Sequence, residues 1–349
     1  MHGEYKVPGG KLVVIDLEVA QGRLRQVRLS GDFFLEPPEA LEAINRGLDG
    51  LPADAGAEGI AQAVRAALPA EAELFGFSPE AVAVGRAEGA VMNRTAWTDY
   101  DWQLIHPGPL PPALHMALDA AITDEVGAGQ RPPTLRIWEW SQPAVIIGRF
   151  QSLRNEVDPD GARRHGVTVV RRVSGGGAMF VEPGNTITYS LSVPQALVAG
   201  MSFQESYAFL DAWVIRALHE LGIKAWYQPL NDIASDAGKI GGAAQARRAG
   251  AVLHHVTMSY DIDADKMVEV LRIGREKLSD KGTTSARKRV DPLRSQTGLA
   301  RDTIIERMLQ TFAGMCRLTP AEIGAATLQA AQRQAEEKFS SPEWTALVP

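Results

Sequence analysis

Three consecutive glycines, at residues 175–177, constrain this chain more than any other feature of its sequence. Glycine adopts positive φ angles and carries no Cβ, so successive backbone N–H groups can turn inward and a phosphate can approach the main chain. Arg171 and Arg172 precede the glycines and supply positive charge. The triplet could also be a plain turn between two β-branched strand candidates, residues 167–170 and 187–191. Taken alone, the glycines leave both interpretations open.

A lysine about sixty residues further along favours the phosphate interpretation. Lys239 precedes Ile240, Gly241 and Gly242, and its ammonium group could reach the same phosphate as a point charge. Because residues 236–238 have the composition of a hairpin turn, Lys239 could equally be an exposed turn residue. The two features together indicate an enzyme that activates a carboxylic acid with ATP, since attack of a carboxylate on a phosphate needs positive charge around the phosphoryl oxygens.

From Trp138 to about Val290 the chain resembles lipoate-protein ligase A and its relatives in the biotin and lipoate ligase superfamily. The resemblance rests on several short blocks that occur in the family's order, which makes it specific. These blocks are residues 145–152, 171–178, 184–186, 231–232, 239–240, 253–257 and 281–285.

The resemblance implies an α/β (α+β) fold: a class II biotin/lipoate-ligase-like catalytic domain with a mixed sheet and flanking helices. It also implies a two-step reaction. Lipoate or octanoate and ATP, with Mg²⁺, give enzyme-bound acyl-adenylate and pyrophosphate, and a lysine of a lipoyl domain then takes the acyl group. The implied partners are the lipoyl domains of 2-oxoacid dehydrogenase E2 subunits or the glycine cleavage H protein.

Roles for individual residues follow from the same resemblance. Lys239 and Arg172 would be catalytic, and Asp232 would hold Mg²⁺, which prefers hard oxygen ligands beside substrate phosphates. An aspartate that stabilises a turn is an equally good interpretation of Asp232. The residues implied to bind ATP are Arg172, Gly177, Ala178, Met179, Phe180 and Lys239. Those implied to bind lipoate are Ser174, Gly175, Gly176, Lys239 and His255.

The chain departs from the family pattern at three places. Val181 and Glu182 stand where many relatives have a His-Asp pair, Gly241 stands where many have serine, and Val256 replaces a frequent glycine. None of these changes removes a charge that the implied chemistry needs. They leave the choice between lipoate and octanoate open, because a hydrophobic pocket distinguishes acids that differ by one or two methylene groups by only about 1 to 3 kcal/mol.

Adjacent histidines, His254 and His255, raise the question of a metal site. Neighbours on a strand point to opposite faces, so the two rings cannot easily bind one ion. No cysteine or carboxylate beside them completes a zinc set. We expect one ring near the acyl pocket and the other facing outward.

The single cysteine, Cys316, bears on the mechanism. It excludes internal disulfides and fits a reducing compartment. Octanoyltransferases of this superfamily use a cysteine thioester, and such a thiolate must lie in the site. Cys316 lies beyond every matching block, after a helix candidate at residues 303–313, so we expect a packing residue. ATP-driven ligation is therefore preferred to transfer without ATP. The block at residues 171–177 fits lipoate ligases better than biotin ligases, and the presence of Arg172, Lys239 and Asp232 argues against a non-catalytic protein that binds lipoyl domains.

Composition predicts a cytoplasmic enzyme that is neither secreted nor membrane-spanning. The chain has 349 residues, a net charge of −6 and 45% hydrophobic residues, which suits about two domains with real cores. The acidic balance argues against nucleic acid, so the basic residues 287–289 are interpreted as a solvated patch. No uninterrupted apolar stretch approaches 18 residues, and the N-terminus lacks the pattern of a signal peptide.

Residues 1–92 are predicted to form a small α+β accessory domain, and residues 93–349 the catalytic domain with its C-terminal helices. Residues 5–12 and 30–35 resemble the accessory domain of lipoate ligases, which usually follows the catalytic domain. Alternating residues around Gln21 and Gly22 predict a hairpin. Helices are predicted at residues 37–48, 59–68, 79–91 and 263–278, after Pro111, and after a capping box that starts at Ser202. We expect removal of residues 1–90 to abolish activation.

Overall fold

The computed structural model describes residues 1–7, 10–90, 95–236, 238–272 and 292–349. The sequence blocks at residues 281–285 and 287–289, and the predicted domain boundary after residue 92, lie outside these ranges. The chain divides into two compact units. The first is Met1–Thr95 with Ala196–Met201, and the second is Ala96–Gln195 with Ser202–Pro349.

The first unit packs helices on a three-stranded antiparallel sheet. Gln21 and Gly22 connect two strands with φ angles of 53° and 70°, the positive values that suit a two-residue hairpin turn. The predicted hairpin is therefore confirmed, as are the three predicted helices up to residue 90. The elements are β1 (His2–Lys6), β2 (Leu12–Ala20), β3 (Arg23–Gly31), β4 (Phe34–Glu36), α1 (Ala40–Leu48), α2 (Ala57–Ala67), β5 (Glu73–Phe75) and α3 (Pro79–Ala90).

The second unit is built on an eight-stranded mixed sheet and a smaller three-stranded sheet. The strands are β6 (Asp101–Ile105), β7 (Thr134–Trp138), β8 (Ala144–Ile147), β9 (Thr168–Arg171), β10 (Met179–Val181), β11 (Thr186–Pro194), β12 (Ala225–Gln228), β13 (Asp232–Ser235), β14 (Gly238–Arg248), β15 (Ala251–Ser259) and β16 (Arg317–Pro320). The large sheet has the order β12-β13-β14-β15-β11-β7-β6-β16, and the small one β10-β8-β9. Strand β6 pairs in parallel with both β7 and β16, whereas the pairs from β12 to β7 are antiparallel.

Helices flank these sheets, and the helices after Pro111 and Ser202 begin where the sequence predicts. Ser202 accepts a hydrogen bond from the Glu205 N–H at 3.2 Å, and the Glu205 carboxylate accepts one from the Ser202 N–H at 2.7 Å, so the capping box is confirmed. Among the described residues, none of the helices is both long and apolar enough to cross a membrane. The helices are α4 (Pro112–Gly127), α5 (Leu153–Glu156), α6 (Pro159–Arg164), α7 (Phe203–Glu220), α8 (Ala264–Val270), α9 (Leu293–Thr297), α10 (Arg301–Ala313), α11 (Ala325–Gln334) and α12 (Pro342–Thr345), with 3₁₀ turns at Trp97–Asp99 and Gln195–Val198 and a π-helical turn at Ala335–Phe339.

One helix is shorter than predicted. The pattern at residues 263–278 predicted a single long helix, but α8 ends at Val270, and Leu271 forms an antiparallel bridge with Val157. The N–H of Arg272 then donates to the carbonyl of Glu156 at 2.9 Å. These backbone pairings replace the next helical turn, so the prediction was wrong at Leu271 and Arg272. Residues 273–278 lie outside the described ranges.

Both faces of the large sheet are covered where the candidate site lies. Ser190 and His255 are cross-strand partners on one face, and both contact Asp119 of α4. On the opposite face, His254 contacts Asp211 of α7. Because β11 and β15 are buried nearly throughout, polar side chains on either face must find partners inside the protein.

Candidate functional site

A cavity of about 250 Å³ lies against one face of the large sheet. Its walls come from the glycine-rich connection between β9 and β10, from β14, and from alternate residues of β11 and β15. Ile262, Met267 and Leu271, in and beside α8, add an apolar wall. Among the lining residues that carry polar or aromatic groups are Trp138, Arg172, Thr186, Asn231, Lys239 and His255.

The glycine-rich loop is held by Arg172, which follows the last residue of β9. Its Nη2 donates to the carbonyls of Gly175 and Gly177 at 2.6 and 2.8 Å, and its Nη1 donates to that of Ile146 at 3.2 Å. Its Nε donates to Ser174 Oγ at 3.0 Å and to the Gly175 carbonyl at 3.1 Å. A guanidinium has five N–H groups. These bonds engage four of them, so within the described part of the chain one Nη1 N–H is left for a ligand.

Gly148, which follows β8, lies so close to the glycine-rich loop that it has no room for a side chain. A Cβ there would lie 2.1 Å from the carbonyl oxygen of Gly176, which has a φ of 87°. A φ in this region favours glycine. The close approach fixes the loop against the end of β8. Burial lowers the pKa of Arg172 to about 10, and the residue is only 3% exposed.

Lys239 lies within β14, so neither a turn position nor full exposure describes it. It pairs with Ala234 of β13, and its Nζ donates to Asp232 Oδ1 at 2.7 Å. The side chains of Lys239 and Asp232 are 45% and 32% exposed. An ammonium group has three N–H donors, so two remain for a ligand in the cavity as far as the described residues go.

Asp232 offers one carboxylate beside the cavity, with Oδ1 on Lys239. Mg²⁺ in nucleotide sites is commonly held by one or two carboxylates together with substrate phosphates, so this arrangement fits an ion that arrives with ATP. Over the described ranges, no three His, Cys, Asp or Glu side chains form a metal-binding group.

Two hydroxyl groups in the cavity lack hydrogen-bond partners. Thr186 and Ser259 are cross-strand neighbours, and the Oγ1 of the first and the Oγ of the second are buried without a partner among the described residues. Both residues line the cavity. A buried hydroxyl without a hydrogen-bond partner destabilises the fold. A polar group of a ligand in the cavity could supply the missing partner for these two hydroxyls.

His255, which lines the cavity, connects the glycine-rich loop to helix α4. Its Nε2 lies 2.6 Å from Ser174 Oγ, and its Nδ1 lies 2.9 Å from Asp119 Oδ2. Burial lowers the pKa of His255, although Asp119 opposes the shift. Burial alone would raise the pKa of Asp119, but Arg136 and His255 outweigh it and hold that pKa below its usual range. The ring is therefore neutral and the carboxylate ionised at neutral pH.

Arg136 of β7 and His115 of α4 complete this buried group. Arg136 donates to Asp119 Oδ1 at 2.6 Å and to His115 Nδ1 at 2.8 Å, while His115 Nε2 donates to the carbonyl of Glu139 at 2.7 Å. Burial, followed by the charge of Arg136, lowers the pKa of His115 to about 3. The sequence analysis missed Asp119, His115 and Arg136. The available signal was a histidine and an aspartate four residues apart within the mostly apolar first part of α4.

His254 does not face outward, so that expectation was wrong. It is fully buried, its Nε2 lies 2.7 Å from Asp211 Oδ1, and its Nδ1 lies 3.1 Å from the amide nitrogen of Gln245. The reason is that α7 covers this face of the sheet. The other ring, that of His255, lines the cavity, and its place beside an acyl group stays a prediction.

Cys316 lies between α10 and β16 and is not part of the cavity lining. Its thiol donates a hydrogen bond to the carbonyl of Phe312 at 3.6 Å. Burial raises the pKa of this thiol to about 12. The prediction of a packing residue at the end of a helix is confirmed.

The structure brings most of the predicted site residues together. Lys239, Arg172 and His255 line the cavity, as do Gly177, Ala178, Met179 and Phe180. Ser174 lies behind the wall on His255, and Gly175 is bound through its carbonyl to Arg172. Their predicted contact with lipoate, like the catalytic roles, remains a prediction.

The model of the lipoyl protein ligase A/B catalytic domain family matches residues 111–313, more than half of the chain. This chain belongs to that family. A relative named octanoyltransferase LipM, from Symbiobacterium thermophilum, is 30% identical over 272 residues, which are 70% of this chain and 97% of the relative. The protein is thus an enzyme of the lipoate ligase and transferase family.

Two solved structures of the family share the fold. A bi-partite lipoate protein ligase from Thermoplasma acidophilum, described together with its E2 lipoyl domain, is 27% identical with a TM-score of 0.63; the match covers 73% of this chain and 98% of that one. A lipoate-protein ligase A bound with ATP is 25% identical with a TM-score of 0.63, over 71% of this chain and all of that one. The predicted mixed sheet with flanking helices is confirmed.

Proposed function

We propose that this protein activates lipoate or octanoate with ATP and transfers the acyl group to a lysine of a lipoyl domain. The observation that carries the proposal is the composition of the cavity wall. It combines the glycine-rich loop, Lys239 and an apolar wall, whereas Cys316 lies elsewhere as a protonated thiol.

In the activation step, a carboxylate oxygen attacks the α-phosphorus of ATP, and the bond to the departing pyrophosphate breaks. Negative charge accumulates on the phosphoryl oxygens. Lys239 has two N–H groups available to these oxygens and to the carboxylate, and it can hold the two anions together. The N–H groups of the glycine-rich loop and one N–H of Arg172 supply further donors. Asp232 would hold Mg²⁺, which neutralises phosphate charge when it is bound.

In the transfer step, the acceptor lysine attacks the carbonyl carbon of the acyl-adenylate, and AMP leaves. The acid, the adenylate and the lysine must meet at one place, so Lys239 serves both steps by holding the α-phosphate beside the carbonyl. The E2 lipoyl domain described with the archaeal neighbour supports a lipoyl domain as the acceptor.

Octanoyl transfer without ATP is the second candidate, and the name of the LipM relative favours it. A cysteine route would require a thiolate in the cavity to form a thioester. The sequence contains one cysteine, and that residue is buried away from the cavity lining. For this reason we favour the ATP-dependent reaction.

Intact-mass analysis of an apo lipoyl domain separates the two candidates. The domain is incubated with this protein and an equal mixture of lipoate, octanoate and biotin, with and without Mg-ATP, and in parallel with an octanoyl carrier protein. We expect an ATP-dependent lipoyl or octanoyl adduct that Cys316→Ala leaves unchanged. An adduct from the carrier protein alone that disappears in Cys316→Ala would establish the transferase instead.

We also propose that residues 1–92 act as an accessory domain in the adenylation step. The archaeal neighbour is described as bi-partite, and its match covers 73% of this chain. A variant without residues 1–90 should form no acyl-adenylate, and addition of residues 1–92 as a separate chain should restore it. Adenylation at the full rate by the truncated enzyme would remove this role.

A further inference from the structure

Four side chains form a continuous hydrogen-bonded chain from helix α4 to the glycine-rich loop. Asp119 Oδ2 lies 2.9 Å from His255 Nδ1, His255 Nε2 lies 2.6 Å from Ser174 Oγ, and Ser174 Oγ lies 3.0 Å from Arg172 Nε. Arg172 in turn holds the carbonyls of the loop. Asp119 and Ser174 are 2% and 1% exposed.

The protons in this chain have one consistent direction. The Asp119 carboxylate is ionised and can only accept, and its Oδ1 already accepts from Arg136 and from Ser190 Oγ at 2.6 and 2.7 Å. His255 must therefore donate from Nδ1, which leaves Nε2 as an acceptor for the Ser174 hydroxyl proton. The Ser174 oxygen then accepts from the Arg172 Nε–H.

We propose that Asp119 and Ser174 are positioning residues, which orient Arg172 and the glycine-rich loop for the phosphate groups of ATP. The inference rests on the proposed function. Neither side chain is part of the cavity lining, so each acts through His255 or Arg172. Without the Asp119 carboxylate, His255 can protonate at Nε2 instead, and the Ser174 hydroxyl loses its acceptor.

The order Ser, His, Asp is also that of a nucleophile triad. Here the serine oxygen lies behind the cavity wall and already accepts a hydrogen bond from an arginine. A nucleophile needs an open path to the reacting carbon, so the positioning role fits this geometry better.

Ser174→Ala and Ser190→Ala form a matched pair for the test. Both hydroxyls are buried, and both are hydrogen-bonded, directly or through His255, to Asp119. Ser190 donates to Asp119 Oδ1 and accepts from Trp138 Nε1 at 3.0 Å, so it is not one of the four side chains that lead to Arg172. Pyrophosphate release is measured while ATP and the acid are varied separately. Because the lost bond involves a charged donor, Ser174→Ala should lower kcat/KM for ATP about tenfold or more.

The expected pattern includes two values that should move little. The KM for the acid in Ser174→Ala, and every constant in Ser190→Ala, should change less than about threefold, a change of about 0.7 kcal/mol. The positioning role would be overturned if kcat/KM for ATP fell equally in the two variants. It would also be overturned if Ser174→Ala changed only the constants for the acid.

Nitrogen chemical shifts of His255 in labelled full-length protein test the chain without catalysis. At neutral pH we expect the ring to be protonated at Nδ1 in the wild type and in Ser190→Ala. In Ser174→Ala the Nε2 chemical shift should change, and in Asp119→Asn the proton should move from Nδ1 to Nε2. An Nε2-protonated ring in the wild type would contradict the chain, even if the enzyme is active. If the wild type has the Nδ1-protonated ring but releases no pyrophosphate, the proposed function is rejected, and so is the role of Asp119 and Ser174 in binding ATP.

Discussion

Two cations line the same cavity and differ in how their hydrogen bonds are used. Arg172 is almost fully buried, and four of its five N–H groups hold the protein's own backbone and Ser174. Lys239 is nearly half exposed, and its Nζ donates to the carboxylate of Asp232. The comparison separates a charge that holds the glycine-rich loop from a charge that remains available to a ligand of the cavity.

The largest effect should follow loss of the charge that holds the loop. Arg172→Ala leaves the carbonyls of Ile146, Gly175 and Gly177 without their donor, and a buried group without a partner costs about 1 to 3 kcal/mol. We expect the free energy of unfolding in urea to fall by about 3 kcal/mol or more, with a loss of activity. Arg216→Ala, whose side chain is 63% exposed, should change stability by less than about 0.5 kcal/mol. If Arg172→Ala were as stable as the wild type, Arg172 would not be needed to hold the glycine-rich loop.

Loss of the Lys239 charge should have the opposite effect, a large change in activity with little change in stability. Lys239→Ala removes a charged donor from the proposed reaction, worth on the order of 1.5 to 3 kcal/mol, so pyrophosphate release should slow by roughly ten- to a hundredfold or more. Stability should change by at most about 1 kcal/mol, since the pair with Asp232 is partly exposed. Lys224→Ala, an exposed lysine, is the control. Near-normal release by Lys239→Ala would remove this lysine from the mechanism.

A further effect concerns acid, and the buried histidines behind Arg172 should contribute to it. The pKa of His115 is lowered to about 3, and that of His255 is also lowered, so the unfolded chain binds more protons than the folded one below pH 6.5. Stability should therefore fall as the pH falls from 6.5 toward 3, by at most about 1.4 kcal/mol per pH unit for each histidine. Urea unfolding at pH 7 and pH 5 should show a weaker dependence in His115→Gln. An equal dependence would exclude His115 as a source of the acid sensitivity.

The sequence was sufficient for the parts of the fold that local patterns determine. The hairpin at Gln21 and Gly22 needs positive φ angles, and the helix after Ser202 needs a capping box, so both were predictable. The end of α8 was not, because Leu271 leaves the helix to pair with Val157, more than a hundred residues away in the chain. A pattern within one segment carries no information about such a partner.

The same distinction applies to the site. Arg172, Lys239 and Gly177 were predicted to lie together because their chemistry suits a phosphate, and the structure places all three around one cavity. Asp119 was missed because its role depends on His255 and Arg136, which come from two different strands. The outward orientation predicted for His254 failed for a related reason: only the packing of α7 shows that this face of the sheet is buried.

The most direct test of the central claim is exchange of labelled pyrophosphate into ATP in the presence of lipoate or octanoate, without any lipoyl domain. Exchange reports reversible formation of the acyl-adenylate alone. The account predicts acid-dependent exchange by the wild type and by Lys224→Ala, and a loss of about tenfold or more in Lys239→Ala. No exchange with either acid, by an enzyme that acylates a lipoyl domain from an octanoyl carrier protein, would contradict it.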